Sequence, residues 1–399
     1  MIKVAFGSVP KDGGTFTFYR NQRPKLLKLG VAMRCVSVGR REARLIEPAY
    51  VDDGCVLLAE TERDLKKQVM AFAEWCEDEQ IDIVIGVNSE AILASLPHLP
   101  QRIRVVSRCA NAFDEGYRYG TVCQERYAAM VALTPRLQKD LVENYGAKPD
   151  LFRLIPNGID IDRFREAAAQ VRGGGAVLEL GFLGRLEHKQ KGVLYLPKIV
   201  QHLQQMQVAF RLRIAGKGVH EPELRKALSQ EIASGQVELL GQLNPEQIPA
   251  FLASVDVYLF TSHFEGCPNA LLEAMVAGCV PVSWVIEGIT DFLIEDGKTG
   301  ALVPSGDCEG FAQKVQQLAQ DRGALRTLQE QLVDEAQRRF ASAKTAQAYA
   351  EMFHQLMAQA PPAWSPRPWT EFAVPLGFSK KEPSDSVQWI KIALKKFLN

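Results

Sequence analysis

Two carboxylates, Glu265 and Glu273, bracket the stretch Glu265-Gly-Cys-Pro-Asn-Ala-Leu-Leu-Glu273. Such a pair can accept hydrogen bonds from sugar or ribose hydroxyls, or balance positive charge on a reacting carbon. What it does depends on the backbone beneath it. Residues 255–261 (VDVYLFT) are apolar and β-branched, which predicts a buried strand. Pro268 predicts the first residue of a helix running to about Ala277, and Gly278 predicts its end. Glu265 then lies on the loop at the carboxyl end of a strand, with Glu273 more than one turn into the next helix. In an open α/β sheet ligands bind in that crevice. The amides of Asn269 and Ala270 at the helix start favour an anion such as a diphosphate. Two glutamates at this spacing also fit an ordinary solvated helix face, so the flanking sequence has to decide.

Residues 178–192 read LELGFLGRLEHKQKG, an apolar strand ending in Gly184-Arg185, with Lys191 and Gly192 at the start of the next helix. Two cations across a strand-to-helix turn suit a diphosphate. Arg offers a planar fork and Lys a point charge, and together they would stabilise a phosphate leaving group. Residues 210–218 (FRLRIAGKG) and 237–243 (VELLGQL) add two more strands ending in glycine turns. Strands alternating with helices at this rhythm predict a parallel, doubly wound sheet.

The amino-terminal half follows the same plan. Residues 2–9 read as an opening strand, Gly13-Gly14 as a tight turn and residues 15–29 as a helix. The glycine pair serves either a ligand approaching the helix start or merely the turn itself. Residues 81–88 and 103–110 continue the strands, with helices expected over 62–79 and 135–145.

Residues 150–305 resemble the donor-binding half of the retaining glycosyltransferases of the GT-B fold, family four. The resemblance rests on ordered motifs. These are Pro156-Asn157-Gly158-Ile159-Asp160, Gly184-Arg185 with Lys191-Gly192, Glu265 with Glu273, and Gly288-Ile289 through Asp296-Gly297 and Gly300. It implies an α/β chain of GT-B type, with two doubly wound Rossmann-like domains facing a central cleft and a carboxyl-terminal crossing helix. The expected divisions are an acceptor-side domain over 1–155, a donor-binding domain over 156–343, and a crossing helix and tail over 344–399.

By the same resemblance Arg185 and Lys191 hold the donor diphosphate, Glu273 the nucleotide ribose and Glu265 the transferred sugar. The backbone near Gly241 to Leu243 faces the base, Asn269 and Ala270 give amides to the sugar or phosphate, and Gly13-Gly14 approaches the donor phosphate. Two departures stand out. Position 268 is Pro where many relatives carry Gly, which removes one amide at no cost to the helix. Many relatives also place a histidine after the strand matching 103–110, whereas no histidine lies between His98 and His188 here. Arg108 and Asn111 are the candidates to take over its sugar contacts, the alternative being that they are surface groups.

The implied activity is transfer of a hexosyl-type sugar from a nucleoside-diphosphate sugar, UDP or GDP, to a hydroxyl of a glycan or glycolipid, with retention. No metal or other cofactor is expected, because cationic side chains and amides take the charge. A nucleotide-sugar epimerase and a non-catalytic nucleotide-sugar-binding partner are the alternatives that share the architecture.

Composition bounds the rest. With 399 residues, 47% of them hydrophobic, the chain can fill two cores. Lys plus Arg equals Asp plus Glu at 47 each, which gives no attraction to a polyanion and argues against nucleic acid as a partner. Eight cysteines lie scattered without a Cys-x-x-Cys pair, which suits reduced thiols in a cytoplasmic protein better than a zinc site. Cys267 lacks a partner base and reads as a packing residue. No secretory signal is expected at the amino terminus, and no apolar run is long enough to span a bilayer. Residues 344–359 predict the crossing helix and PPAWSPRPWTEF an extended connector. Residues 384–399 carry Val387, Ile390, Leu394 and Phe397 on one helical stripe beside Lys391, Lys395 and Lys396. That stripe either packs on the first domain or docks at the inner face of a membrane bearing a lipid-linked acceptor.

Overall fold

The computed structural model describes residues 1–171 and 177–380. The reading of residues 384–399 as a packing or membrane-docking helix lies outside them. Every strand pairing among the described residues is parallel. Parallel strands joined by helical crossovers are covered on both faces and therefore read as apolar runs. Accordingly β1 (Ile2–Gly7), β2 (Val31–Val38), β3 (Cys55–Leu58), β4 (Ile83–Gly86), β5 (Arg104–Cys109), β6 (Tyr127–Ala132) and β7 (Phe152–Leu154) form the first sheet, in the order β3-β2-β1-β4-β5-β6-β7. The second contains β8 (Leu178–Leu183), β9 (Phe210–Ala215), β10 (Val237–Gly241), β11 (Val257–Phe260), β12 (Val280–Trp284) and β13 (Ala301–Val303), in the order β10-β9-β8-β11-β12-β13. All residues of β4, β11 and β12 are buried.

Each sheet reverses its winding beside its own first strand, between β1 and β4 and between β8 and β11. That reversal opens a crevice beyond the carboxyl ends of the strands. Gly13 and Gly14 follow β1, Arg185 follows β8 and Glu265 follows β11, so the candidate residues of both halves sit at these two switch points.

The chain crosses between the sheets twice, and the crossings are bonded to each other. The Ile159 amide donates to Phe340 O at 2.8 Å, and the Ser342 amide donates to Ile159 O at 2.8 Å. From there the helix Ser342–Ala358 returns to the first domain, where the Tyr349 ring lies 5.2 Å from that of Phe18 on the helix Gly14–Lys28. Beyond it the proline-rich segment runs as an extended strap with a single short 3-10 turn, Trp369–Glu371. Arg104 donates to Leu356 O and Gln359 O, the His98 ring stacks on Trp369 at 4.5 Å, and the Leu65 amide donates to Lys380 O.

Gly158 lies where the two crossings touch. A Cβ there would stand 2.6 Å from Ser342 Cα and 2.6 Å from Thr345 Oγ1. Gly158→Ala must push the crossings apart and should cost about 1–3 kcal/mol. Denaturant unfolding checks this, and an unchanged midpoint would show that the junction yields freely.

Candidate functional site

The turn after β8 is built by its own side chains. Glu187 caps the one-turn helix His188–Lys191, its carboxylate accepting from the Lys189 amide at 2.7 Å and the Gln190 amide at 2.9 Å. Gly192, in the left-handed region at φ 62°, ends that turn. Lys191 and Gly192 therefore close a short helix of their own, whereas the sequence placed them at the start of the following one. The longer helix begins only at Leu196. Thr261, just past β11, donates through Oγ1 to Lys191 O at 2.8 Å and ties the turn to the neighbouring strand.

This docking brings the cations to the first carboxylate. Lys191 Nζ lies 2.6 Å from Glu265 Oε1, with the side chains 15% and 7% exposed. Gln190 links the other cation, accepting from Arg185 Nη2 at 2.5 Å and donating weakly to Glu265 Oε2 at 3.5 Å. Taking Lys191 and Glu265 out of water costs much of what their attraction returns, so the pair adds little net stability. Loss of one partner would leave the other buried and unpaired.

Glu273 sits on the helix Asn269–Ala277, which Gly278 ends at φ 82°. Pro268 is the residue before this helix rather than its first residue, since its ψ of 103° is extended. Asn269 and Ala270 therefore occupy the first helical turn, where amides lack helical acceptors. Gly14 faces this helix start from the first domain, for a Cβ added to it would lie 3.5 Å from Asn269 Nδ2. Gln242, between Gly241 and Leu243, reaches Asp12 Oδ2 at 3.5 Å across the same gap. Burial pushes the half-buried Glu273 carboxyl up to about 7, with Arg163 opposing and Asp12 adding to the shift.

Arg108 is neither a surface group nor open to a ligand, being 2% exposed. Its guanidinium stacks 4.0 Å over the Phe18 ring, donates from Nε to Tyr349 Oη at 3.2 Å and from Nη2 to Asn157 Oδ1 at 2.8 Å. Asn157 passes the connection to the second domain, donating through Nδ2 to Asn269 Oδ1 at 2.8 Å and to Cys267 O at 3.3 Å. Gly266 completes the junction: Thr134 Oγ1 donates to its carbonyl at 3.0 Å, and an added Cβ would lie 2.1 Å from Ala110 O. Asn111 is half-buried and lines a cavity of about 940 Å³ in the first domain. Gly13, Gly14, Arg41, Glu42, Glu90 and Tyr119 are also on its wall. Cys267 is buried and its thiol is pushed up to about 11 by that burial, which makes it a poor nucleophile.

Sequence patterning missed Gln190, the bridging role of Asn157, and a histidine group. The His188 ring lies 6.1 Å from that of His220 and 5.8 Å from that of His263, beside Tyr195 and Trp284. Among the described residues no group of histidine, cysteine or acidic side chains is arranged to hold a metal. All eight cysteines are free thiols. No helix among the described residues is long and apolar enough to cross a membrane.

The position of Glu273 carries a prediction. Its folded value is raised, so its contribution to stability is complete below the unfolded value and is lost as pH rises through about 7. Glu273→Gln should therefore stabilise the ligand-free protein at pH 8 by about 1–3 kcal/mol and make no difference near pH 4. Unfolding curves at the two pH values check the sign.

Comparison with known proteins agrees with this geometry. Residues 12–163 match the family described as Glycosyltransferase Family 4, and residues 178–321 match Glycosyl transferases group 1. WcaL of Salmonella typhimurium, a proposed colanic acid biosynthesis glycosyltransferase, is 33% identical over 180 residues, covering 44% of this chain and 43% of the relative. The GDP-mannose:cellobiosyl-diphosphopolyprenol alpha-mannosyltransferase of Xanthomonas oryzae is 29% identical over 195 residues, covering 48% and 49%. The chain thus spans less than half the length of these curated relatives. Among solved structures, HepE of Anabaena in complex with UDP superposes with a TM-score of 0.72 at 18% identity, covering 89% of this chain and 100% of that one. Sucrose-phosphate synthase of Thermosynechococcus elongatus gives a TM-score of 0.72 at 19% identity, covering 90% and 100%. Two switch-point crevices on two parallel sheets, and family matches over both halves, establish that this chain belongs to the family-four glycosyltransferases of the GT-B fold.

Proposed function

We propose that the protein transfers a sugar from a nucleoside-diphosphate sugar to a hydroxyl of a glycan or glycolipid, with retention of configuration. The observation that carries this is the cluster at the second switch point, where Arg185, Gln190, Lys191 and Glu265 form one chain of contacts beside the helix start at Asn269. The diphosphate lies against Arg185, Lys191 and the amides of Asn269 and Ala270, and these take the charge of the departing group without a metal. Binding then draws Lys191 from Glu265 toward phosphate, which frees the carboxylate for the sugar and for the positive charge that develops at its anomeric carbon. Glu273 accepts from the ribose, and the base packs on the backbone from Gly241 to Leu243.

The acceptor hydroxyl enters from the first-domain cavity and attacks on the face the diphosphate leaves. As the anomeric carbon–oxygen bond to phosphate breaks and the new glycosidic bond forms, the hydroxyl proton passes to the departing phosphate. The nucleotides are UDP or GDP, as named for HepE and the mannosyltransferase respectively.

A panel of UDP-, GDP- and ADP-sugars, assayed for diphosphate release with and without a chelator, tests the proposal. One donor should be turned over equally in both conditions, and Glu265→Ala and Arg185→Ala should each lose about 100-fold or more. Binding of a nucleotide sugar without turnover, with acceptor glycans supplied, would refute the transferase reading in favour of a non-catalytic binder.

A further inference from the structure

The three histidines behind the phosphate turn play no part in that chemistry, yet two of them hold the turn in place. The His188 amide donates to His220 Nδ1 at 3.2 Å, and His188 Nδ1 in turn accepts from the Leu194 amide at 3.3 Å. Between these bonds lie Gln190 and Lys191. His220 is itself anchored, its amide donating to Leu186 O at 3.0 Å just before the helix Glu221–Ala227. His263, two residues before Glu265, donates from its amide to Gln190 O at 2.8 Å.

A ring nitrogen that receives an N–H must be the bare one. Both bonds therefore use the tautomer that carries its proton on Nε2. Protonation of His188 would place a hydrogen on its Nδ1 facing the Leu194 N–H, and that bond would be lost. The surroundings favour the neutral form at His188: burial, His263 and His220 hold its imidazolium below the ordinary range, against weaker opposing pulls from Glu187 and Glu223. Glu187 in turn faces His220 and Arg185. Since the folded value of His188 is lowered, its hold is complete above the ordinary histidine value and is lost as pH falls.

We propose that His188 and His220 are positioning residues for the donor site, their bare Nδ1 atoms fixing the turn that presents Gln190 and Lys191, so that nucleoside-diphosphate binding weakens as His188 takes up a proton. This rests on the donor-site reading above. An amide oxygen of Asn can stand where Nδ1 stands but does not titrate, which separates the acceptor role from the charge.

The test is calorimetric binding of UDP and GDP to the full chain at pH 7.5 and pH 5.5, compared among wild type, His188→Asn/His220→Asn and His220→Leu. Wild type should lose about tenfold in affinity between the two conditions, the double Asn variant threefold or less, and His220→Leu should bind weakly at both. Titration of the nucleotide's own phosphate is common to all three proteins. Hydrogen exchange at the Leu194 amide without ligand gives an independent readout: in acid this amide should lose protection in wild type relative to the double Asn variant. The same pH dependence in both proteins, or unchanged amide protection, overturns the proposal. Absence of UDP and GDP binding by wild type at either pH, with the exchange difference intact, would instead overturn the donor-site reading and leave the capping in place.

Discussion

The arrangement depends on one junction, the hydrogen-bonded path from Arg108 through Asn157 to Asn269. Arg108 is the penultimate residue of β5 in the first sheet, Asn157 lies on the first crossing, Tyr349 lies on the returning helix and Asn269 begins the helix that carries Glu273. A buried guanidinium is costly unless its donors find partners and its charge is met. Here the Phe18 ring face lies against the charge and the Tyr349 and Asn157 oxygens take Nε and Nη2, while Nη1 is buried without a hydrogen-bond partner. The first crossing and the returning helix thereby meet on one side chain, and Asn157 joins Asn269 to it. The loop from Glu265 to Asn269 then takes its position from the first domain as well as from its own, with Ala110 and Thr134 closing on Gly266.

The same junction decides where Arg108 points. Arg108 stands on a strand whose neighbours fix its direction, and the direction leads into the protein, under the site rather than over it. First-domain groups that do meet open space lie further round the cavity wall, among them Asn111, Glu90 and Tyr119. Tyr119 Oη lies 3.1 Å from both Glu90 and Glu115, so one hydroxyl proton serves two carboxylates, and the wall keeps acceptor capacity for hydroxyls.

What the sequence disclosed follows the range of the interactions involved. β1, β4, β5, β8 and β11 are visible as apolar runs because burial on both faces of a parallel sheet demands them locally, and β9 and β10 are marked by the glycine turns that follow them. β7 and β13, three residues each, are too short to show a pattern. The paired glutamates and the Arg185–Lys191 turn are legible because strand, loop and helix start each leave a local mark. Arg108 is not, since its partners Asn157 and Tyr349 lie 49 and 241 residues away and no spacing rule connects them. The histidine group is hidden for the same reason. Its three members come from three separate connections and meet only because β8, β9 and β11 end side by side in the sheet.

Charge placement shows what the binding geometry costs the empty protein. Lys191 and Glu265 are largely desolvated against each other, Gln190 and the Phe260 ring face, and Glu273 is held where its ionised form is disfavoured. None of these is an efficient way to stabilise a fold, and an apolar pair in place of both Lys191 and Glu265 would pack at lower cost. The offset comes from the apolar strands beneath and from the bonded crossings, which fix the positions of these groups before any ligand arrives. A diphosphate and a ribose would relieve the two mismatches together, the anion by sharing Lys191 and the hydroxyls by donating to Glu273. On the donor-site reading, affinity would then come partly from mismatches already present in the free protein, and a turn held rigidly from behind would keep Lys191 where the anion needs it.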